Sequence, residues 1–169
     1  MKKFLPVLAL ILLTASPAAA DNMQEGIAAM QRGDYQTARA LWMPLAKDGN
    51  PDAQYNVGAL YANGLGVDQN HGVALKWFSA SANQGNPQAM LSLGMLYADG
   101  SGTQQNLGAA YVWFRLALKY GANNPSFQGQ ISAAQNYLSQ VMGAMTKSQM
   151  LEYEQVVMQW QPKKQAPAE

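Results

Sequence analysis

From Gly49 onward the chain repeats itself. Residues 49–84 read GNPDAQYNVGALYANGLGVDQNHGVALKWFSASANQ and residues 85–120 read GNPQAMLSLGMLYADGSGTQQNLGAAYVWFRLALKY. The offset is 36 residues without a gap, and 16 of the 36 positions are identical. A fixed period of that length builds a stack of supersecondary units, each packed on its neighbours, rather than a closed domain around a buried pocket. It favours a binding surface over an enclosed site for chemistry.

Within each copy the local signals are helical. Asn50-Pro51 and Asn86-Pro87 combine a side chain that caps free N–H groups with a proline suited to the first helical position. The helices they open are predicted to run to about Ala62 and Ala98, where Gly64-Leu65-Gly66 and Gly100-Ser101-Gly102 reverse the chain. Asn70 and Asn106 cap second helices reaching Gln84 and Tyr120. Gly85 and Gly121 stand just past those ends, where a left-handed residue commonly closes a helix. Each repeat is therefore an antiparallel pair, helix A and then helix B.

The identities fall on helical faces. Ala53, Val57, Leu60 and Tyr61 form one stripe, matched by Ala89, Leu93, Leu96 and Tyr97; Ala74, Trp77 and Phe78 recur as Ala110, Trp113 and Phe114. Trp77 and Trp113 read as core residues rather than ligand-stacking ones, because they recur in phase with the stripe. Gly58 and Gly94 sit in helix interiors at a cost of about 1 kcal/mol each relative to alanine, which points to a close backbone approach. The flanks are degenerate copies. Gly26, Gly33-Asp34-Tyr35, Ala38, Leu41-Trp42 and Ala46 form a shorter first unit. Asn124-Pro125 opens a helix to about Met142, and Thr146 with Gln149 makes a capping box for a last helix ending near Trp160. The expectation is an all-α solenoid of about eight helices over residues 21–160, paired as 22–48, 49–84, 85–120 and 121–160.

The first twenty residues read as an export signal: basic Lys2 and Lys3, an apolar run from Phe4 to Leu13, and Ala18-Ala19-Ala20 before Asp21. The apolar run is half of the ~20 residues a spanning helix needs, so cleavage after Ala20 and no stable membrane anchor afterwards are expected, with a periplasmic or secreted destination. Without Lys2 and Lys3 the chain holds nine Lys and Arg against ten Asp and Glu. No basic stripe is present for nucleic acid. With no cysteine, disulfide staples are impossible, and residues 161–169 read as a polar, Pro-containing disordered tail.

Ala53, Gly58, Leu60-Tyr61, Gly64-Leu65-Gly66, Ala74 and Trp77, with their copies 36 residues on, resemble the Sel-like repeat (SLR) family of tetratricopeptide-related α-solenoids. The first unit is closer to a tetratricopeptide repeat. The resemblance implies a right-handed superhelix whose A helices line a concave surface for a protein or peptide, and a role as an adaptor in the bacterial cell envelope. A cysteine-rich branch of the family is associated with penicillin binding and weak β-lactamase activity. Having neither cysteine nor an S-x-x-K motif, this chain inherits nothing from it, and a cell-wall binding or weakly hydrolytic protein is the alternative reading.

Chemistry finds few candidates. His71 is the only histidine, whereas a zinc site needs several ligands. Asp68-Gln69-Asn70 lacks the distal glutamate of a calcium loop, since Ser79 occupies that place. The Gly-x-Gly pairs lack the third glycine of a dinucleotide fingerprint. Glu152 and Glu154 point to different sides of a helix. No enzyme activity, metal or cofactor is expected.

Carried over from the family pattern, the groove positions are Met23, Ile27 and Met30 in the first unit; Asp52, Tyr55, Ala59 and Asn63 in the second; and Gln88, Leu91, Met95 and Asp99 in the third. Large apolar side chains there suit an amphipathic helix or extended peptide. Two arrangements remain open at this point: the groove is exposed, or the helices carrying Met142, Met150 and Met158 lie across it.

Overall fold

A computed structural model describes residues 17–163, so the export signal up to Ser16 and the tail from Lys164 lie outside the described residues. Eight α-helices follow one another: α1 Pro17–Gln31, α2 Tyr35–Lys47, α3 Pro51–Asn63, α4 His71–Asn83, α5 Pro87–Asp99, α6 Leu107–Gly121, α7 Ile131–Gly143 and α8 Lys147–Gln159. A 3-10 helix, Pro125–Gln130, precedes α7. No strand occurs among the described residues, and each of α1 to α6 packs on its sequence neighbours. The fold is an all-α solenoid.

The repeat is visible atom by atom. Asn50 and Asn86 accept from the N–H groups of Ala53 and Ala89 at 2.9 Å each, and Asn70 and Asn106 do the same for Val73 and Ala109, again at 2.9 Å. Gln69 and Gln105 each donate 2.8 Å bonds to the carbonyls of Ala62 and Ala98. Gly64 and Gly100 end α3 and α5 in the left-handed region, with φ of 67° and 73°, where only glycine sits without strain. Gly66 and Gly102 are also left-handed and abut the starts of α2 and α4, so each loop touches the B helix of the unit before it.

The fully buried aromatic rings are Trp42 in α2, Phe114 in α6 and Phe127, with Phe78 nearly so. Trp77 and Trp113, expected in the core, are only half-buried; the residue after each is the one that fills the interior. Gly58 and Gly94 lie against the Phe78 and Phe114 rings, the close approach the sequence implied. Gly121 differs from expectation: it is the last residue of α6 in ordinary helical conformation, and the Phe127 ring occupies the space a side chain would need. A polar cluster also went unforeseen. Gln54 is buried and donates to the Ala46 carbonyl at 3.0 Å, Gln84 donates to Gln54 at 2.8 Å, and Ser81 donates to the Pro51 carbonyl at 2.6 Å.

The largest departure concerns the last pair. The helix expected from Pro125 to Met142 is a 3-10 segment followed by α7. Although the capping box of Thr146 and Gln149 starts α8 as predicted, α8 does not fold back on α7. It crosses to α6, so the described residues form three helix pairs, a lone α7 and a strap. Glu154 in α8 accepts from Tyr111 Oη at 2.9 Å and from Arg115 Nε at 3.0 Å. Trp160 meets Trp113 and Tyr120 edge-on, with centroids 6.2 and 5.1 Å apart. The first residues of the expected disordered tail are docked, the Lys163 N–H donating to the Asn83 carbonyl at 2.7 Å.

The strap makes stability sensitive to acid. The hydrogen bond from Arg115, aided by that from Tyr111, holds the Glu154 carboxyl below its ordinary value of 4.5, against a smaller opposing effect of burial. A depressed folded-state value means the contribution is present above the unfolded value and vanishes as pH falls through the folded one. Glu154→Gln is expected to lose up to about 1 kcal/mol at neutral pH, since the pair is part-exposed. Denaturant titrations of both proteins should draw together as pH falls below 4.5 and converge once it has passed the depressed folded-state value.

Candidate functional site

The A helices carry two clefts. The first, about 530 Å³, is bounded by α1, α3 and α5 and closed at one side by the start of the 3-10 helix. Met23 and Ile27 supply apolar lining from α1, Tyr55 and Asn56 face them from α3, and Asn124 and Ser126 form the far wall. Gln88 donates to the Ser126 carbonyl at 3.4 Å, and Asn86 donates to Asp52 at 2.9 Å, which fixes the rim. Burial pushes the Tyr55 hydroxyl above its ordinary pKa of 10.0. The second cleft, about 230 Å³, lies between α3 and α5 over Phe78 and is lined by Asn63, His71, Ser92, Met95 and Asp99 among others. The Tyr55 and Phe78 rings are 5.8 Å apart, so the two clefts adjoin.

The structure thus brings Met23, Ile27 and Tyr55 together in one cleft and Asn63, Met95 and Asp99 in the other. Met30 is exposed and Ala59 half-buried, and both lie outside these two clefts. Leu91 corrects the expected set: it is buried with 8% of its surface exposed, because the 3-10 helix and α7 pack against α5. Asn56, Ser92, His71 and Phe78 were missed. Asn56 and Ser92 hold one position in the period, two small polar residues within apolar helices, and that signal was available.

The lining offers amides, hydroxyls and apolar surface, the equipment for holding a chain segment. Among the described residues, no group of three or more His, Cys, Asp or Glu is placed to hold a metal, and no helix is long and apolar enough to cross a membrane.

Stacked helix pairs with a lined A-helix face define a helical repeat scaffold. The Sel1 repeat family matches residues 51–86 and 87–119, so this chain carries two Sel1 repeats within its all-α solenoid. A protective antigen present in uropathogenic Escherichia coli strains and displaying an SLR fold superposes with a TM-score of 0.73, at 22% identity, over 84% of this chain and 29% of that one. A Sel1 repeat protein from Oxalobacter formigenes does so with a TM-score of 0.55, at 26% identity, over 81% of this chain and 58% of that one. The chain therefore spans under a third of the first protein and under two thirds of the second. No curated protein matches the sequence. Sel1 repeat proteins generally mediate protein–protein interaction, and the scaffold is typically non-catalytic.

Proposed function

We propose that this chain is an exported adaptor of the cell envelope that holds a protein or peptide in the groove along α1, α3 and α5, without catalysing a reaction. The observation that carries this reading is the route of α8. By crossing to α6 it covers the B-helix side and leaves the A-helix clefts open. Apolar Met23 and Ile27 beside the amides of Asn56 and Gln88 match the mixed surface of an extended peptide or amphipathic helix.

Export is the second part of the proposal. Cleavage after Ala20 would remove the first turn of α1, including Ala20 itself, which lines the groove, and would widen that end. Cell fractionation with N-terminal sequencing is expected to find a periplasmic or secreted chain starting at Asp21; a cytoplasmic chain retaining Met1 refutes it. For the groove, Met23→Ala/Ile27→Ala is expected to weaken capture of partners from an envelope extract about tenfold or more, as truncation of two apolar anchors does. Equal recovery by a folded double variant removes the groove from the account.

A further inference from the structure

A buried alanine followed by buried residues four and seven positions on recurs on α2 to α7; on the helices that pack on a preceding B helix these are Ala53, Val57 and Leu60 on α3, Ala89, Leu93 and Leu96 on α5, and Ala134, Leu138 and Val141 on α7. Three residues after the alanine stand Asn56, Ser92 and Tyr137 respectively. On α7 that residue covers the ring of the preceding B helix: Tyr137 stacks on Phe114 with centroids 5.7 Å apart and planes 12° from parallel. On α5 the equivalent residue is the small Ser92, and over Phe78, the counterpart of Phe114, the second cleft opens instead.

We propose that this cleft is a socket for one aromatic side chain, tyrosine or phenylalanine, of a peptide bound along the A helices. That ring takes over Phe78 the place that Tyr137 holds over Phe114. The inference rests on the peptide-groove reading above and names the residue the peptide must supply. The rim has matching polar groups. His71 lines the cleft, and its Nδ1 atom is buried without a hydrogen-bond partner. Asn63 spends its Nδ2 on the Ala59 carbonyl at 2.8 Å and keeps Oδ1, and Asp99 presents an exposed carboxylate. They offer hydrogen-bonding groups to a phenol hydroxyl or to the main-chain amide beside the inserted ring. Tyr55, packed on Phe78 and lining the first cleft, joins the socket to the rest of the groove.

The test is selection of a displayed library of random dodecapeptides on the folded protein, followed by fluorescence anisotropy of the selected peptides. The expected result is a shared tyrosine or phenylalanine whose replacement by alanine weakens binding about tenfold or more. Ser92→Tyr, which gives α5 the plug that α7 carries, should weaken the unaltered peptides by a similar factor. His71→Leu should weaken them severalfold, and it places at 71 the residue type that the next repeat tolerates at Leu107, which keeps the test available if Ser92→Tyr fails to fold. Selected peptides without an aromatic residue, or unchanged affinity in the folded variants, overturn the socket. If those peptides still depend on Met23 and Ile27, the groove reading survives; recovery of no peptide at all overturns both.

Discussion

Phe114→Ala is expected to cost about 3–5 kcal/mol of stability, the range for emptying a large buried aromatic site. The ring is fully buried and belongs to more than one interface. It lies against Gly94 of α5 and is stacked by Tyr137 of α7, so it joins the third helix pair to the helix that closes the array. Truncation leaves a void that two helices would have to move to fill, and neither moves freely. Guanidinium unfolding followed by circular dichroism measures the loss, and the melting temperature should fall by roughly 10 °C. A loss below about 1 kcal/mol, the ordinary effect of an average substitution, would mean that this ring is not the joint between α5, α6 and α7.

What could be read from the sequence divides along a physical line. Caps and turns are local: Asn50 needs only the N–H of Ala53 three residues on, and Gly64 needs only its own φ. Such features are written in a few adjacent residues and repeat wherever the residues do. The route of α8 depends on contacts across some forty residues, where Glu154 meets Arg115 and Tyr111 and Tyr153 sits over Gly108. The repeat itself conceals that seat, because Gly108 is the copy of Gly72, which faces no such neighbour. Gly121 misled in the same way. Gly85 has a φ of 97° and does close its helix, whereas its copy instead makes room for Phe127. In the site, Tyr55, Ala59 and Asn63 followed from the family resemblance rather than from the local pattern. The exposure of each member depended on what packs next, and Leu91 is covered because α7 and the 3-10 helix lie against α5. The socket over Phe78 could not be seen before the counterpart ring was found covered by Tyr137.

Gly94→Ala is expected to be damaging as well, with a net loss of about 2–3 kcal/mol. A methyl group there would stand 2.4 Å from one Phe114 ring atom and 2.5 Å from another, far inside contact distance, against a ring that is fully buried. Alanine would otherwise gain about 1 kcal/mol of helix propensity, so the overlap must exceed that gain for the sign to be unfavourable. Two other glycines calibrate the claim. At Gly143 a methyl group would meet nothing within 4 Å, and Gly143→Ala should stabilise by up to about 1 kcal/mol. At Gly108 the overlap is nominally worse, 2.0 Å, but the atoms met are the far end of the half-buried Tyr153, which can swing aside; Gly108→Ala should therefore cost less than Gly94→Ala. If the Phe114 ring is the obstacle, Phe114→Leu, which removes the Cε1 and Cζ atoms in conflict, should make the double variant less damaged than the two single losses combined. A coupling of about 1 kcal/mol or more is expected for residues in direct contact. Strict additivity would place the strain somewhere other than between this glycine and this ring.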